Sequence, residues 1–257
     1  MSRPASPARA IAAMTATELR LVLRRGENLF ATIVIPTLVL VLFSSVGIVS
    51  TGATRPVDFL LPGSIALAII ATSLVSLGIT TAYDRSYGVL KRLGGSPLSR
   101  AELIVARILA VLVVEAVQVA LLVGTAIVVL GWSPGPGASG PLLIGGVLLG
   151  TITFAGLGLL LAGILRAETM LAVANLLFLG FLAVGGIVVP VDRLPAPVAA
   201  IAHALPAAPL SDLLRVGLGS TGVASGAVGT DPSSAAVLLA VWGAVAVGLA
   251  AATFSWE

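Results

Sequence analysis

The sequence predicts an all-α membrane protein. Six transmembrane helices are expected, with an interfacial amphipathic helix before the first and a short cytoplasmic helix between the second and third. Three observations carry that expectation. Of the 257 residues, 58% are hydrophobic and 10% are charged, against roughly 25% charged in an ordinary soluble domain. Six apolar stretches each approach the ~20 residues that cross a bilayer at 1.5 Å per residue. The basic residues, finally, are divided very unevenly between alternate loops.

The same composition excludes other classes. Intrinsic disorder requires low hydrophobicity and high net charge, and neither holds. The chain has no Cys and a single His, so disulfides, thiolate sites, a cysteine nucleophile and multi-histidine metal centres are all excluded. A net charge of +3 is explained by basic residues that fix membrane orientation. Nucleic acid is not expected as a partner, because no basic stripe is interleaved with aromatics. The N-terminus has Arg without an apolar stretch directly behind it, so it reads as something other than a cleaved signal peptide.

The elements follow in order. Thr15 and Glu18 have the S/T-x-x-E spacing of a capping box at a helix start. Thr17, Arg20, Arg24 and Glu27 recur on one side of the following turns, with Ala16, Leu19 and Leu23 on another. This predicts an amphipathic helix within residues 1–28, lying in the interface with its Arg toward lipid headgroups. The candidate spans are about 29–49, 59–81, 104–131, 141–164, 170–189 and 234–254. None shows the period-2 alternation of a barrel strand. With the N-terminus inside, the inner side holds Arg3, Arg9, Arg20, Arg24, Arg25, Arg85, Lys91, Arg92, Arg100, Arg107 and Arg166, and only Arg55, Arg193 and Arg215 lie outside. The count of 11 against 3 predicts that both termini are cytoplasmic.

The first inner loop is the most charged and punctuated part of the chain. "YDRSYGVLKRL" is compatible with a helix of about ten residues, with Gly94 and Gly95 suited to a left-handed C-cap. Pro97 forbids continuation, and Ser99 with Glu102 makes a second capping box that opens the third span. A basic, amphipathic helix at that place is a grip for a cytosolic partner. In the outer loop 190–233, Pro190, Pro195, Pro197, Pro206 and Pro209 cut the chain into short apolar pieces expected to sit at the membrane surface or dip into it. Asp231 as cap and Pro232 at the first helical position restart a helix. One transmembrane domain, 1–257, is expected throughout.

Few polar residues lie inside the spans. Glu115 is roughly 12 Å along the helix axis from Arg107, deep enough that ionisation is costly, and Gln118 shares its face. Two readings stand for this pair: a polar patch on a translocation path or dimer seam, or interhelical hydrogen bonding. Asn175 is expected to make a helix–helix hydrogen bond, or to share the translocation path or dimer seam with Glu115 and Gln118. Gly146, Gly150, Gly156, Gly158 and Gly163 let the fourth span approach another helix closely. Asp212 and Arg215 are spaced to pair. His203 has no second metal ligand nearby, and Trp132 and Trp256 suit an interfacial aromatic belt.

The stretches "DFLLPGSIAL", "DRSYGVLKRLGGSPLSR", "PAPVAAIAHALPAAPLSDLLR" and the closing "FSWE", in that order among six spans, resemble the type-2 permease subunits of ABC exporters, close to the daunorubicin-resistance-like branch. The resemblance implies that Asp84, Arg85, Tyr87, Gly88, Leu90, Arg92 and Leu93 form a coupling helix docking on a cytosolic ABC ATPase subunit. Ser86 departs from the pattern, since relatives often carry a second acidic residue there. It further implies half of a twelve-helix exporter, hence a second permease copy or paralogue, in the inner (plasma) membrane. Such an exporter moves an amphiphile (drug, lipid or glycolipid) outward, with ATP and Mg held by the partner.

The chain's own residues agree that fuel must come from elsewhere. A P-loop needs G-x-x-x-x-G-K-[ST], and the only Lys, Lys91, lies in "YGVLKRL"; no cofactor is expected on this chain. A proton-coupled secondary transporter using Glu115 is the alternative, although no inverted repeat or broken-helix pair supports it. An intramembrane enzyme lacks its residues: there is no H-E-x-x-H, no Cys and no Ser/His pairing within the spans.

Overall fold

In the computed structural model the chain is described over residues 6–24, 26–46, 55–96, 98–220 and 232–253, with side chains from residue 32 onward in the second stretch. Arg3, Arg25, Pro97, Asp231, Trp256, the side chain of Glu27 and the closing "FSWE" lie outside the described residues. The described residues form helices and no strand.

Helix α1 (Pro7–Arg24) precedes α2 (Gly26–Val46), whose 21 residues extend about 32 Å. The next helix runs unbroken from Pro56 to Ser86 in three parts. These are α3 (Pro56–Ile69), a π-helical stretch (Ile70–Ser76) and α4 (Leu77–Ser86). After a turn at Tyr87 and Gly88 comes the short α5 (Val89–Gly94), followed by α6 (Arg100–Leu130), α7 (Gly140–Ile164) and α8 (Ala167–Val184). A 3-10 turn at Val191–Arg193 leads to α9 (Ala196–Ala204) and α10 (Ala207–Leu218), and α11 (Pro232–Thr253) completes the described chain. Five of the expected spans are recovered as helices long and apolar enough to cross a membrane: Pro56–Ser86, α6, α7, α8 and α11. Helix α2, whose described apolar part is Thr32–Val46, corresponds to the first.

The helix from Pro56 to Ser86 is the axis of the bundle. Phe59, Leu60, Leu61, Ile65, Ile69 and Ile70 are fully buried, because the α3 part is apolar on nearly every face and the helix as a whole is wrapped by α2, α6, α7, α8 and α10. A helix apolar all round belongs inside a bundle or a membrane. Phe154 of α7 meets Phe181 of α8 edge to face, with ring centroids 5.5 Å apart. Gly146 and Gly150 let α7 close on Leu213, Leu214 and Leu210 of α10, and Gly156 closes on Val247 of α11. These close approaches are all to helices of the same chain.

The Pro-rich loop does dip inward. Helices α9 and α10 form a pair bent by 76°, and α10 buries Leu210, Leu213 and Leu214 against α3 and α7. Arg215 and Asp212 pair as their spacing predicts, at 2.8 Å. Arg215 also donates to the Gly186 carbonyl and lies 4.3 Å over the Phe59 ring. Buried this way, the guanidinium keeps a carboxylate, a carbonyl and a π-face as partners.

Several local expectations are corrected. Helix α1 begins at Pro7, so Thr15 and Glu18 lie mid-helix and form no capping box; Thr15 Oγ1 instead donates to the Ala106 carbonyl at 3.3 Å. The face α1 turns to the bundle carries Met14, Glu18 and Val22, while Leu23 is 68% exposed and Ala16 is exposed. The left-handed residue is Gly88 (φ 71°), and Gly95 is ordinary right-handed backbone (φ −79°). The inner-loop helix is therefore six residues long, with Asp84 and Arg85 belonging to the end of α4. Trp132 is only 4% exposed, within the main core rather than a belt.

Candidate functional site

Two polar constellations stand out against the apolar bundle, both anchored on the central helix. The first lies where α4 gives way to α5. Tyr87 closes α4, its ring stacked on Tyr83 with centroids 5.8 Å apart. Gly88 reverses the chain, its left-handed backbone costing a residue without a Cβ little. Helix α5 then presents two faces. Leu90 is 1% exposed and packs with Leu103 of α6, Met14 of α1, Leu93 and Leu98. Tyr87 is 73% exposed, Val89 is 37% exposed, and Lys91 and Arg92 are on the surface. The predicted second capping box is present in full: Ser99 accepts from the Glu102 N–H at 3.2 Å, and the Glu102 carboxylate accepts from the Ser99 N–H at 2.7 Å.

One turn beyond Leu103 on α6, Arg107 is almost completely buried. Its Nε donates to Glu18 Oε1 of α1 at 3.0 Å, Nη1 to Thr81 Oγ1 at 2.5 Å and Nη2 to Asp84 Oδ2 at 2.5 Å. One guanidinium thus ties the N-terminal helix and the end of α4 to α6. Arg85, one residue on, reaches the other way. Both of its Nη atoms donate to the carbonyls of Gly163 and Leu165 at the C-terminus of α7, where backbone acceptors are unpaired and the helix dipole is negative.

Of the seven residues implied as the coupling element, Tyr87 and Arg92 are on the surface and Gly88 forms the turn. Leu90 and Leu93 anchor α5, and Asp84 and Arg85 are engaged within the chain. Glu18, Thr81 and Arg107 were missed as members of this site. The one available signal was an Arg and a Glu occurring in otherwise apolar helical stretches.

The second constellation lies deeper. Glu115 is fully buried and its carboxylate accepts from the hydroxyls of Ser73, at 2.5 Å, and Thr151. Gln118, 1% exposed, accepts from Thr72 Oγ1 at 3.1 Å and donates to the Thr32 carbonyl at 3.1 Å. These contacts join α6 to α2, to α7 and to the π-helical stretch, inside one chain. Thr72 and Ser73 were missed because hydroxyls in an apolar run carry no pattern of their own. Asn175 departs from expectation: it is exposed and donates to Leu171 O of its own helix at 2.7 Å. It lines a cleft of about 350 Å³ together with Thr32, Ile35, Ser76, Thr80 and Phe178. No group of three or more metal-ligating side chains occurs among the described residues, His203 included.

A bundle of long apolar helices with a buried charge cluster toward one end of its central helix defines a multi-pass membrane protein. Comparison with known families makes this specific. The ABC-2 type transporter family matches residues 9–218, from the first turn of α1 to the end of α10. The chain belongs to that family and is a permease subunit of an ABC transporter. No curated protein matches it.

Proposed function

We propose that this permease is driven by a cytosolic ABC ATPase that grips the turn and helix at residues 87–92, and that it moves an amphiphile outward. The observation that carries this reading is the division of labour in that loop. Leu90 and Arg85 fix it to the bundle, while Val89, Lys91 and Arg92, together with Tyr87 stacked on Tyr83, remain on the surface. Rigid attachment on one face and an aromatic, basic patch on the other are what a force-receiving element requires. The uneven Arg and Lys distribution supports a cytoplasmic position for this loop and both termini, and insertion in the plasma membrane.

Six spans make half of a twelve-helix exporter, so a second copy or a paralogue completes the pathway. The Asn175 cleft, apolar with a few hydroxyl and amide groups, supports an amphiphilic cargo such as a drug or lipid. Glu115 and Gln118 lie behind that cleft as interhelical links. The partners seen around Glu115 are hydroxyls, which supports clamping over a proton relay.

The test is co-purification with a cytosolic ABC ATPase produced together with this chain, using Lys91→Glu combined with Arg92→Glu. Binding should be lost while the chain still accumulates in the membrane. Transport into inverted vesicles should require ATP and fail with a proton gradient alone. Wild-type ATPase binding by the double variant, or gradient-driven transport, overturns the reading.

A further inference from the structure

The central helix, like α6, is held at both polar constellations, and at the deeper of the two its winding changes. From Ile70 to Ser76 it is π-helical, and the Leu77 N–H bonds to the Thr72 carbonyl five residues back. A π turn is an α-helix with one residue too many, and it persists only where its surroundings compensate. Here the compensation is specific. The two hydroxyls of the turn are held by α6, Thr72 on Gln118 and Ser73 on Glu115.

The carbonyls of Ser73 and Leu74 lie against Gly158 of α7, where an added Cβ would sit 2.9 Å from either oxygen. Below the turn, Thr81 and Asp84 are held by Arg107, and Arg85 holds the end of α7. Relaxing the turn to α-helix with every residue retained would push the surplus residue into α4. The helix below would then turn by about 100° and slide about 1.5 Å.

We propose that the stretch Ile70–Ser76 is a register joint, letting α4 turn against α3, and that the Ser73–Glu115 and Thr72–Gln118 hydrogen bonds are its lock. Releasing the lock turns α4, withdraws Thr81 and Asp84 from Arg107, and moves Ala82 out of its buried seam with Met170 and Ala174. Two discrete windings of one helix are the kind of bistable element through which motion at a loop reaches a core some turns away. The inference rests on the proposed ATPase grip only for the source of the force that works the joint.

The absence of Cys from the chain makes the test direct. Ala82→Cys, 1% exposed at its native residue, provides a single thiol in membranes containing the full chain without the ATPase. With the lock intact, a small maleimide should label it slowly. Adding Thr72→Val and Ser73→Ala should speed labelling by about tenfold or more, as local opening becomes easier. Deleting Ala71 in that unlocked chain removes the surplus residue, lets the turn close as α-helix and should make labelling slow again. Ser64→Ala, which removes a buried hydroxyl without a hydrogen-bond partner on α3, should change nothing.

Unchanged labelling of the unlocked chain overturns the proposal. So does fast labelling that the deletion does not reverse, since that is general loosening. Should the unlocked chain fail to accumulate, the deletion must restore it, and failure to do so also overturns the joint. Because no ATPase enters this assay, those outcomes leave the coupling reading standing. Conversely, loss of the coupling reading through the co-purification test leaves the labelling result intact.

Discussion

Replacing Arg107 by Met removes the only cation that the described contacts place between Glu18 and Asp84, while keeping an unbranched apolar stem in the same space. Removing one partner of a buried ion pair generally costs about 3–5 kcal/mol, because the remaining charge stays desolvated. The Arg107 side chain is 2% exposed, but those of Glu18 and Asp84 are 12% and 16% exposed. Both carboxylates can therefore recover some hydration, which moves the expectation to about 2–4 kcal/mol. The assay is reversible unfolding in mixed micelles, with Arg92→Met on the surface as reference, expected within about 0.5 kcal/mol of wild type. Adding Glu18→Gln and Asp84→Asn to Arg107→Met removes the stranded charges and should restore at least half of the loss, a non-additivity expected of groups in one network. A loss below about 1 kcal/mol, the worth of an exposed pair, would refute the reasoning. A triple variant no more stable than Arg107→Met would refute it equally.

Three further outcomes are expected. Arg85→Ala gives up two charge-assisted bonds to the end of α7 and should lower unfolding stability by about 1.5–3 kcal/mol. Arg85→Lys should restore only part of this, since an ammonium lacks the planar fork. At Gly88, with φ 71° and no atom within 4 Å of an added Cβ, any penalty comes from the backbone alone. Gly88→Ala should cost about 1–2 kcal/mol by the same unfolding assay, Asn less and Val more. Ser99→Ala should cost about 1 kcal/mol and speed amide exchange over residues 100–103, whereas Ser99→Asp should keep exchange slow.

What was legible in the sequence divides along physical lines. Spans were legible because burial in hydrocarbon needs an unbroken apolar run, and the run itself is the signal. The Ser99–Glu102 cap and the Asp212–Arg215 pair were legible because both depend on fixed local spacing. The Thr15–Glu18 spacing shows the limit of that rule. The same four-residue pattern lies mid-helix, since Arg107, 89 residues away, offers Glu18 a better partner than its own backbone.

The left-handed turn fell at Gly88 rather than Gly95 because Leu90 and Leu93 must face α6 and α1 together. That requirement is visible only once those helices are in place. The π-helical stretch had no signal at all, because the partners of its hydroxyls lie on another helix. Glu115 and Gln118 were recognisable as polar residues out of place, and what they hold required the fold.

The most direct measurement of the central claim uses Tyr87, an exposed residue of the loop. Tyr87→Cys gives a single thiol in a chain that has no other, at a position 73% exposed. A membrane-impermeant maleimide should label it in inverted vesicles stripped of the ATPase and leave it untouched in intact cells, and adding the ATPase back should protect it. Labelling from outside intact cells, or labelling in inverted vesicles that the ATPase does not slow, would contradict the account.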